Sequence, residues 1–341
     1  MNRPPATLSL DLDNLWSYLK THGDPGWESF PSFLDRATER ILPLLGSMNL
    51  RITFFLVGKD AALEKNAAAL RAIADAGHEI ASHSHWHVPH FPSLDRSETV
   101  REIEMAENAI LTATGVRPTG WRGPSFSFST ALVETLSARG YAYDATIFPT
   151  FLGPLARLYF FATSKLSRQE RQERSDLFGG LANGFRPNRP FRWALGDGSR
   201  LLEIPVTTVP GVRAPFHASY LHYLATFSEP AARAYLTSAL TLCKGAGVPP
   251  SFLLHPTDFL GAEDVPELKY FPGMTASGAT KERRTRDYLA RLTQSFEVVP
   301  LGSLAASLQG AALRSLPLPG SGAEATASSP LFQTNTSNPS L

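Results

Sequence analysis

Four histidines fall within eight residues: His83, His85, His87 and His90, in the stretch ASHSHWHVPHF. Neutral imidazole is a common ligand for divalent transition metals. His83 and His87 are four apart, so they share a face if the segment turns helically. No glutamate follows His83, so the HExxH zinc-protease reading has no support. A second stretch, SLDLDN, places Asp11 and Asp13 at the end of an apolar run. Residues i and i+2 of a strand point to the same side, which sets both carboxylates in one direction if the strand persists. Two acids at a buried strand end require a cation, a shared proton or a metal. One aspartate with two histidines leaves open positions on a divalent ion, the catalytic pattern rather than the closed structural one. His85 and His90 either support the ligands or lie at the surface.

Three further stretches carry ionisable groups. Arg122, in WRGPSFSF, offers a planar fork suited to a carboxylate. Asp144 stands in YDATIF, and His255 closes the apolar run FLLHPTDF. His255 is a candidate proton donor, with Asp144 or Asp258 holding its other nitrogen. His217 follows a strand-like run and could enter the same site, whereas His222 reads as structural. Trp16, His22 and Trp27 follow the first strand; their loop either stacks a ligand ring or packs beneath itself. Each residue has an ordinary reading: a solvated strand end, a satisfied core histidine, a surface arginine. Five separate stretches with ionisable groups at strand ends make chance placement of all of them improbable, because such ends share one face of a parallel α/β barrel.

The elements required to gather them are legible. Strand-like runs at 6–13, 51–58, 199–210 and 250–258 alternate with helical patterns at 60–77, 93–115, 127–140, 226–247 and 280–300. Ser93 is the expected cap of the 93–115 helix. Such alternation predicts a parallel sheet with helices outside. About seven strand–helix steps fit a closed or nearly closed barrel, with an open doubly wound sheet as the alternative. No GxGxxG follows the first strand and no GxxxxGK[ST] occurs, so nucleotide-binding readings lack support. Residues 1–307 read as one domain, broken by an insert at about 148–198. A tail at 308–341, rich in small polar residues, reads as disordered.

Formal net charge is +1, from 32 basic and 31 acidic side chains. That balance gives no argument for a nucleic-acid partner, which needs a concentrated positive field. Cys243 is the single cysteine, which excludes an intrachain disulfide and cysteine-rich zinc sites; it reads as packing. No apolar run is long enough to span a bilayer, and the N-terminus lacks a signal-peptide core. A cytoplasmic location is the resulting expectation.

With these motifs in this order, the chain resembles the polysaccharide deacetylase family, which shares the NodB homology domain, from about residue 6 to 300. The resemblance implies a distorted (β/α)7 barrel and one divalent metal ion, zinc by first expectation. SLDLDN resembles the family's acid motif, with Asp11 as base and Asp13 as metal ligand. His83-Ser84-His85-Trp86-His87 resembles its H[ST]xxH motif, giving His83 and His87 as ligands. Arg122-Gly123-Pro124-Ser125-Phe126 resembles the arginine motif: Arg122 orients Asp11, and the Ser125 backbone helps hold the oxyanion. Asp144 falls near the fourth motif, and His255 in LLHP matches the general acid. Three features depart from the usual pattern: Leu12 splits the acid pair, no aromatic stands at Ser125, and the fourth motif lacks its tryptophan, with Phe148 as the candidate pocket residue instead.

The implied reaction is metal-dependent removal of an acetyl or formyl group from an N-acylated amino sugar. The alternatives are an allantoinase-like cyclic-amide hydrolase and a non-catalytic carbohydrate-binding protein. The insert runs from a dense apolar stretch, IFPTFLGPLARLYFF, into the polar KLSRQERQERSD. It reads as a helical lid or oligomer contact, or as a lip at the inner face of a membrane that admits a lipid-linked substrate. Arg186, Arg189 and Arg192 read either as ordinary surface arginines or as anion contacts.

Overall fold

Six of the seven positions of the run PATLSLD are buried, the polar Thr7, Ser9 and Asp11 among them. A strand covered on both faces belongs at the centre of a parallel sheet. In the computed structural model, which describes residues 3–173 and 177–319, this run is β1 (Pro5–Asp11). The other strands are β2 (Thr53–Leu56), β3 (Glu79–Ser82), β4 (Gly120–Trp121), β5 (Tyr143–Asp144), β6 (Phe191–Ala194), β7 (Arg200–Glu203), β8 (Ser251–Leu254), β9 (Glu297–Val299) and β10 (Ser315–Pro317). They form one 10-stranded sheet in the order β10-β6-β7-β5-β4-β3-β2-β1-β8, with β9 paired to β1. From β8 through β1 to β7 every pairing is parallel, while β6 runs antiparallel to β7. The sheet is therefore mixed.

The expected ring is not closed by a strand ladder. β8 pairs with β1 on one side only. On its other side it meets the irregular segment after β7. There Thr207 N–H donates to Ser251 O at 3.1 Å, and Ser251 N–H donates to Thr207 Oγ1 at 2.8 Å. Helices cover the outside. Leu34–Ser47 buries Leu34, Ala37, Ile41, Leu44 and Leu45, one stripe at helical spacing. Arg96–Thr114 begins with a capping box in which Asp95 accepts from the Glu98 N–H and Glu98 reaches back to the Asp95 N–H. The cap is thus Asp95 rather than the expected Ser93, which ends a short turn, Phe91–Ser93. Asp95 wins because it alone has its partner acid three residues on. Cys243 is fully buried in the main core, as packing.

The 148–198 insert contains helices Gly153–Thr163 and Arg168–Glu173, a turn at Leu181–Phe185, and β6. The chain expected to be a tail from 308 includes β10, which pairs with β6, and Leu318, which is buried beside Trp193. The rest of that expected tail, 320–341, lies outside the described residues. The closing bonds of the ring give an expected outcome. Thr207→Val removes the acceptor of a buried amide and should cost about 1–3 kcal/mol, read from urea denaturation midpoints at unchanged slope.

Candidate metal centre

β1 ends at Asp11, where its register with Phe55 of β2 stops. Leu12 still bonds to β2, through its N–H to Phe55 O at 3.0 Å. Asn14 then caps the helix Leu15–His22, its Oδ1 accepting from Leu15 N–H at 2.8 Å and from Phe33 N–H at 3.0 Å. The strand does not persist to Asp13, so the two acids reach different neighbours. Asp11 meets Arg122, and Asp13 meets the histidines.

The histidines do not converge by a helical turn either. β3 ends at Ser82, and the following loop contains left-handed residues at Ser84 (φ 61°) and His87 (φ 50°). Such conformations cost on the order of 1–3 kcal/mol each in non-glycine residues and cluster at functional sites. The loop is tied to the turn after β2 by Gly58 N–H to Ser84 O at 2.8 Å and Lys59 N–H to His85 O at 2.9 Å. The result places His87 Nε2 3.0 Å and His83 Nε2 3.4 Å from the same atom, Asp13 Oδ1. All three donor atoms lie within 4.8 Å of one another.

This donor set fits a divalent ion. His83 Nδ1 lies 2.8 Å from Arg122 O, a carbonyl that can only accept, so Nδ1 carries the hydrogen and Nε2 is left with its lone pair. Burial pushes the Asp13 carboxyl up, but the two imidazoles outweigh it and hold the group well below the usual carboxylate range. Burial opposes a charge on His83, yet Asp11 and Asp13 raise its pKa; for His87 burial wins and the pKa falls. An anionic carboxylate flanked by two imidazoles, three ligands with further positions open, is the arrangement of a catalytic site.

Beside it, Arg122 is completely buried. Its Nη1 donates to Asp11 Oδ1 at 2.6 Å and Ser9 Oγ at 2.9 Å, and its Nε donates to Ala145 O at 2.9 Å. The turn after it holds Ser125 at φ 52° and Phe126 at φ 61°. Phe126 packs on Phe148 at 4.7 Å between ring centroids, Phe148 on His217 at 5.8 Å, and His217 lies 6.3 Å from His255. His217 caps the helix Ala218–Phe227, and burial drives its pKa down to about 3, so it is neutral at physiological pH. His255 Nδ1 lies 3.1 Å from Ser219 Oγ, and its backbone N–H donates to Asp258 at 2.8 Å.

Other expectations come out differently. Asp144 does not hold His255. It is buried on β5, bonded to Thr146, and burial pushes it up to about 6. Trp16 has no ring face open to a sugar: it is fully buried and its indole N–H donates to Asp60 Oδ1 at 2.9 Å. His22 is paired with Asp24 at 2.7 Å and stacked on Tyr270, and His222 is buried against Thr285. His85 is buried beside Gly58, where an added Cβ would lie 2.7 Å from its ring. Arg189 and Arg192 bond to main-chain carbonyls of Ala246, Leu308 and Gln309. Sequence reasoning missed Asp60 and Glu203. Asp60 accepts from Asn14, Trp16 and Asn66, and burial raises it to about 7. It braces the Asp13–Asn14 turn, yet in sequence it looks like an ordinary acid at a helix start. The donor geometry gives a direct expectation. Asp13→Ala should lower divalent-metal affinity by a factor of about 100 or more, measured by metal analysis and competition with a chelator.

Residues 24–143 match the model of the polysaccharide deacetylase family. That span includes His83, His87 and Arg122 but not Asp11, Asp13 or His255. A peptidoglycan deacetylase of Helicobacter pylori is 28% identical over 145 residues, 40% of this chain and 47% of that protein. A chitin deacetylase of a Pestalotiopsis species is 31% identical over 105 residues, 30% of this chain and 35% of that protein. The chain thus spans less than half the length of these relatives. Among solved structures, a Mycobacterium smegmatis protein described as a polysaccharide deacetylase superposes with a TM-score of 0.60 at 18% identity, over 97% of this chain and 96% of that one. The allantoinase Puue superposes with a TM-score of 0.54 at 15% identity, over 91% and 92%. Both likenesses concern the fold. The chain is thus similar to the polysaccharide deacetylase family over residues 24–143, the span that carries its histidine and arginine motifs.

Proposed function

We propose that the chain removes the N-acyl group, acetyl or formyl, from an amino sugar by amide hydrolysis. One observation carries this reading: Asp13, His83 and His87 meet at one point while Arg122 holds a second carboxylate, Asp11, beside it. A divalent ion held by those three residues, zinc by first expectation, supplies Lewis acidity toward the amide carbonyl and lowers the pKa of water. Asp11 takes the proton of the attacking water. Arg122 occupies Asp11 Oδ1, which leaves the other carboxylate oxygen for that proton. The backbone N–H at Ser125 faces the charge that develops on the carbonyl oxygen. His255, its Nδ1 engaged by Ser219, gives the proton on Nε2 to the departing amine. Phe148 and neutral His217 form an apolar wall for the acyl group or sugar ring.

The insert supports a finer proposal about where the substrate comes from. Helix Gly153–Thr163 turns Leu155, Leu158 and Tyr159 outward, exposed by 62%, 67% and 52%, while Phe185, packed on Phe151, is 80% exposed. A helix whose outward face is apolar is inverted relative to one facing water. Phe148 leads into the insert, and Phe160 of this helix lies 6.2 Å from the ring of His22, at the end of the helix Leu15–His22 that follows Asp13 and Asn14. Residues 148–192 hold eight basic and three acidic side chains in a chain of net charge +1. The combination suits an anionic lipid surface, with the protein on the cytoplasmic side and a lipid-carried amino sugar as substrate.

Free-amine release should be measured across N-acetylated sugars, N-formylated sugars, glycolipids and cyclic ureides. Asp11→Asn is expected to retain metal and lose turnover by about 100-fold or more, and His255→Ala to slow it comparably. Full activity in Asp11→Asn would remove that residue from its role, and turnover confined to ureides would select the cyclic-amide reading. In co-sedimentation with vesicles, the protein is expected to bind anionic more than neutral lipid, and Leu155→Glu with Leu158→Glu to lose that binding. Equal recovery without lipid would end the membrane proposal.

A further inference from the structure

Asp144 and Glu203 stand in register on β5 and β7, and neither has exposed surface. In-register neighbours on paired strands project to the same side, here the side packed by Trp121 of β4. Glu203 Oε1 accepts from Ile147 N–H at 2.9 Å and Oε2 from the Trp193 indole N–H at 3.1 Å. Asp144 Oδ1 accepts from the N–H and the hydroxyl of Thr146, at 3.0 Å and 2.5 Å. Asp144 Oδ2 is buried with no hydrogen-bond partner, and Glu203 is its in-register neighbour on the paired strand. Two neighbouring buried carboxylates cannot both ionise cheaply. One shared proton satisfies Oδ2 and removes the repulsion.

The pair connects to the site through Thr146. The Thr146 hydroxyl that donates to Asp144 accepts the Gly123 N–H at 2.8 Å. Gly123 follows Arg122 and opens the Pro124–Phe126 turn. A Cβ at Gly123 would lie 2.2 Å from Ser127 O, so only glycine fits at the start of the turn. We propose that Glu203 is a positioning residue for the hydrolysis: sharing a proton with Asp144, it orients Thr146, which fixes the Gly123 amide and so the turn carrying the Ser125 N–H. This rests on the hydrolase reading above.

Burial is the largest cause that raises both carboxyls, with the Asp144 charge the next contributor at Glu203. The folded pair therefore keeps its proton to higher pH than the unfolded chain does. Its contribution is complete at low pH and is lost as pH rises through the pair's upper transition. The charged groups around it are Arg122, bonded to Ala145 O, and Arg186, over the Trp193 ring at 5.0 Å. Glu79, bonded to Tyr143, lies on the other face of the sheet. Among the described residues none forms an ion pair with Asp144 or Glu203.

The test compares Glu203→Leu, which leaves Asp144 Oδ2 without a donor, with Glu203→Gln, which keeps a donor toward Asp144 and carries no titrating proton, at the cost of one of the two acceptors used by Ile147 and Trp193. In metal-loaded protein, Glu203→Leu should lower kcat about tenfold or more with KM and metal content unchanged. Glu203→Gln should retain more of kcat than Glu203→Leu and move the alkaline limb of the profile to higher pH. The Trp193 indole N–H signal, identified by Trp193→Phe in ¹⁵N-tryptophan spectra, should titrate in the unsubstituted protein and stay constant in Glu203→Gln. A Trp193 signal that does not titrate, or Glu203→Leu turning over at full kcat, would overturn the proposal. A titrating signal in a protein that releases no amine from any substrate would instead overturn the hydrolase reading.

Discussion

The buried guanidinium of Arg122 is the interaction on which the site depends. Its side chain holds Asp11, Ser9 and Ala145 O, and its face lies over the Phe55 ring at 4.2 Å. Its own carbonyl fixes the tautomer of His83. One residue therefore orients both the proposed base and a metal ligand. Removing a guanidinium and a carboxylate from water costs several kcal/mol per ion unless geometry and extra hydrogen bonds compensate. The partners around Arg122 engage Nε and Nη1, while Nη2 is buried without a hydrogen-bond partner; lysine, a point charge without the planar fork, could not meet them in the same way.

Around this pair the backbone is bent against its preferences. Ser84, His87, Ser125 and Phe126 all occupy the left-handed region, and all lie in the loops that follow β3 and β4. None is glycine, so local preference does not account for them. Tertiary hydrogen bonds do. Gly58 and Lys59 hold the 84–85 carbonyls, and Thr146 holds the Gly123 amide. At this end of the sheet, neighbouring strands brace each other's loops. Acids the proposed chemistry does not use act as those braces: Asp60 under the Asp13–Asn14 turn, and Asp144 with Glu203 behind the arginine turn. Burial raises the pKa of each, which suits hydrogen-bonding groups in a dry interior more than free charges.

Much was legible from the sequence. Donor types and their order along the chain marked Asp13, His83 and His87, and alternation of strand and helix patterns marked the parallel sheet. The reasons offered for convergence were nevertheless wrong in two places. Asp13 is not a strand residue, and His83 and His87 do not share a helical face. Motif spacing reports that residues meet, not the backbone path by which they do so. Trp16 misled because an indole in a loop after the first strand looks the same whether it faces ligand or Asp60. Glu203 was invisible because LLEIP reads as an ordinary strand with one polar residue, and its partner is 59 positions away.

The sequence by itself determined the chemical inventory: one cation site's worth of ligands, an arginine for a carboxylate, a histidine able to give a proton, and an apolar pattern that must bury parallel strands. Those follow from side-chain chemistry and periodicity, which are local. Only the tertiary structure decided which acid meets the histidines and which meets Arg122, where the ring is bridged without a strand, and which buried acids serve as braces. These outcomes depend on register and burial between segments far apart in the chain, and no local pattern encodes the distance between them.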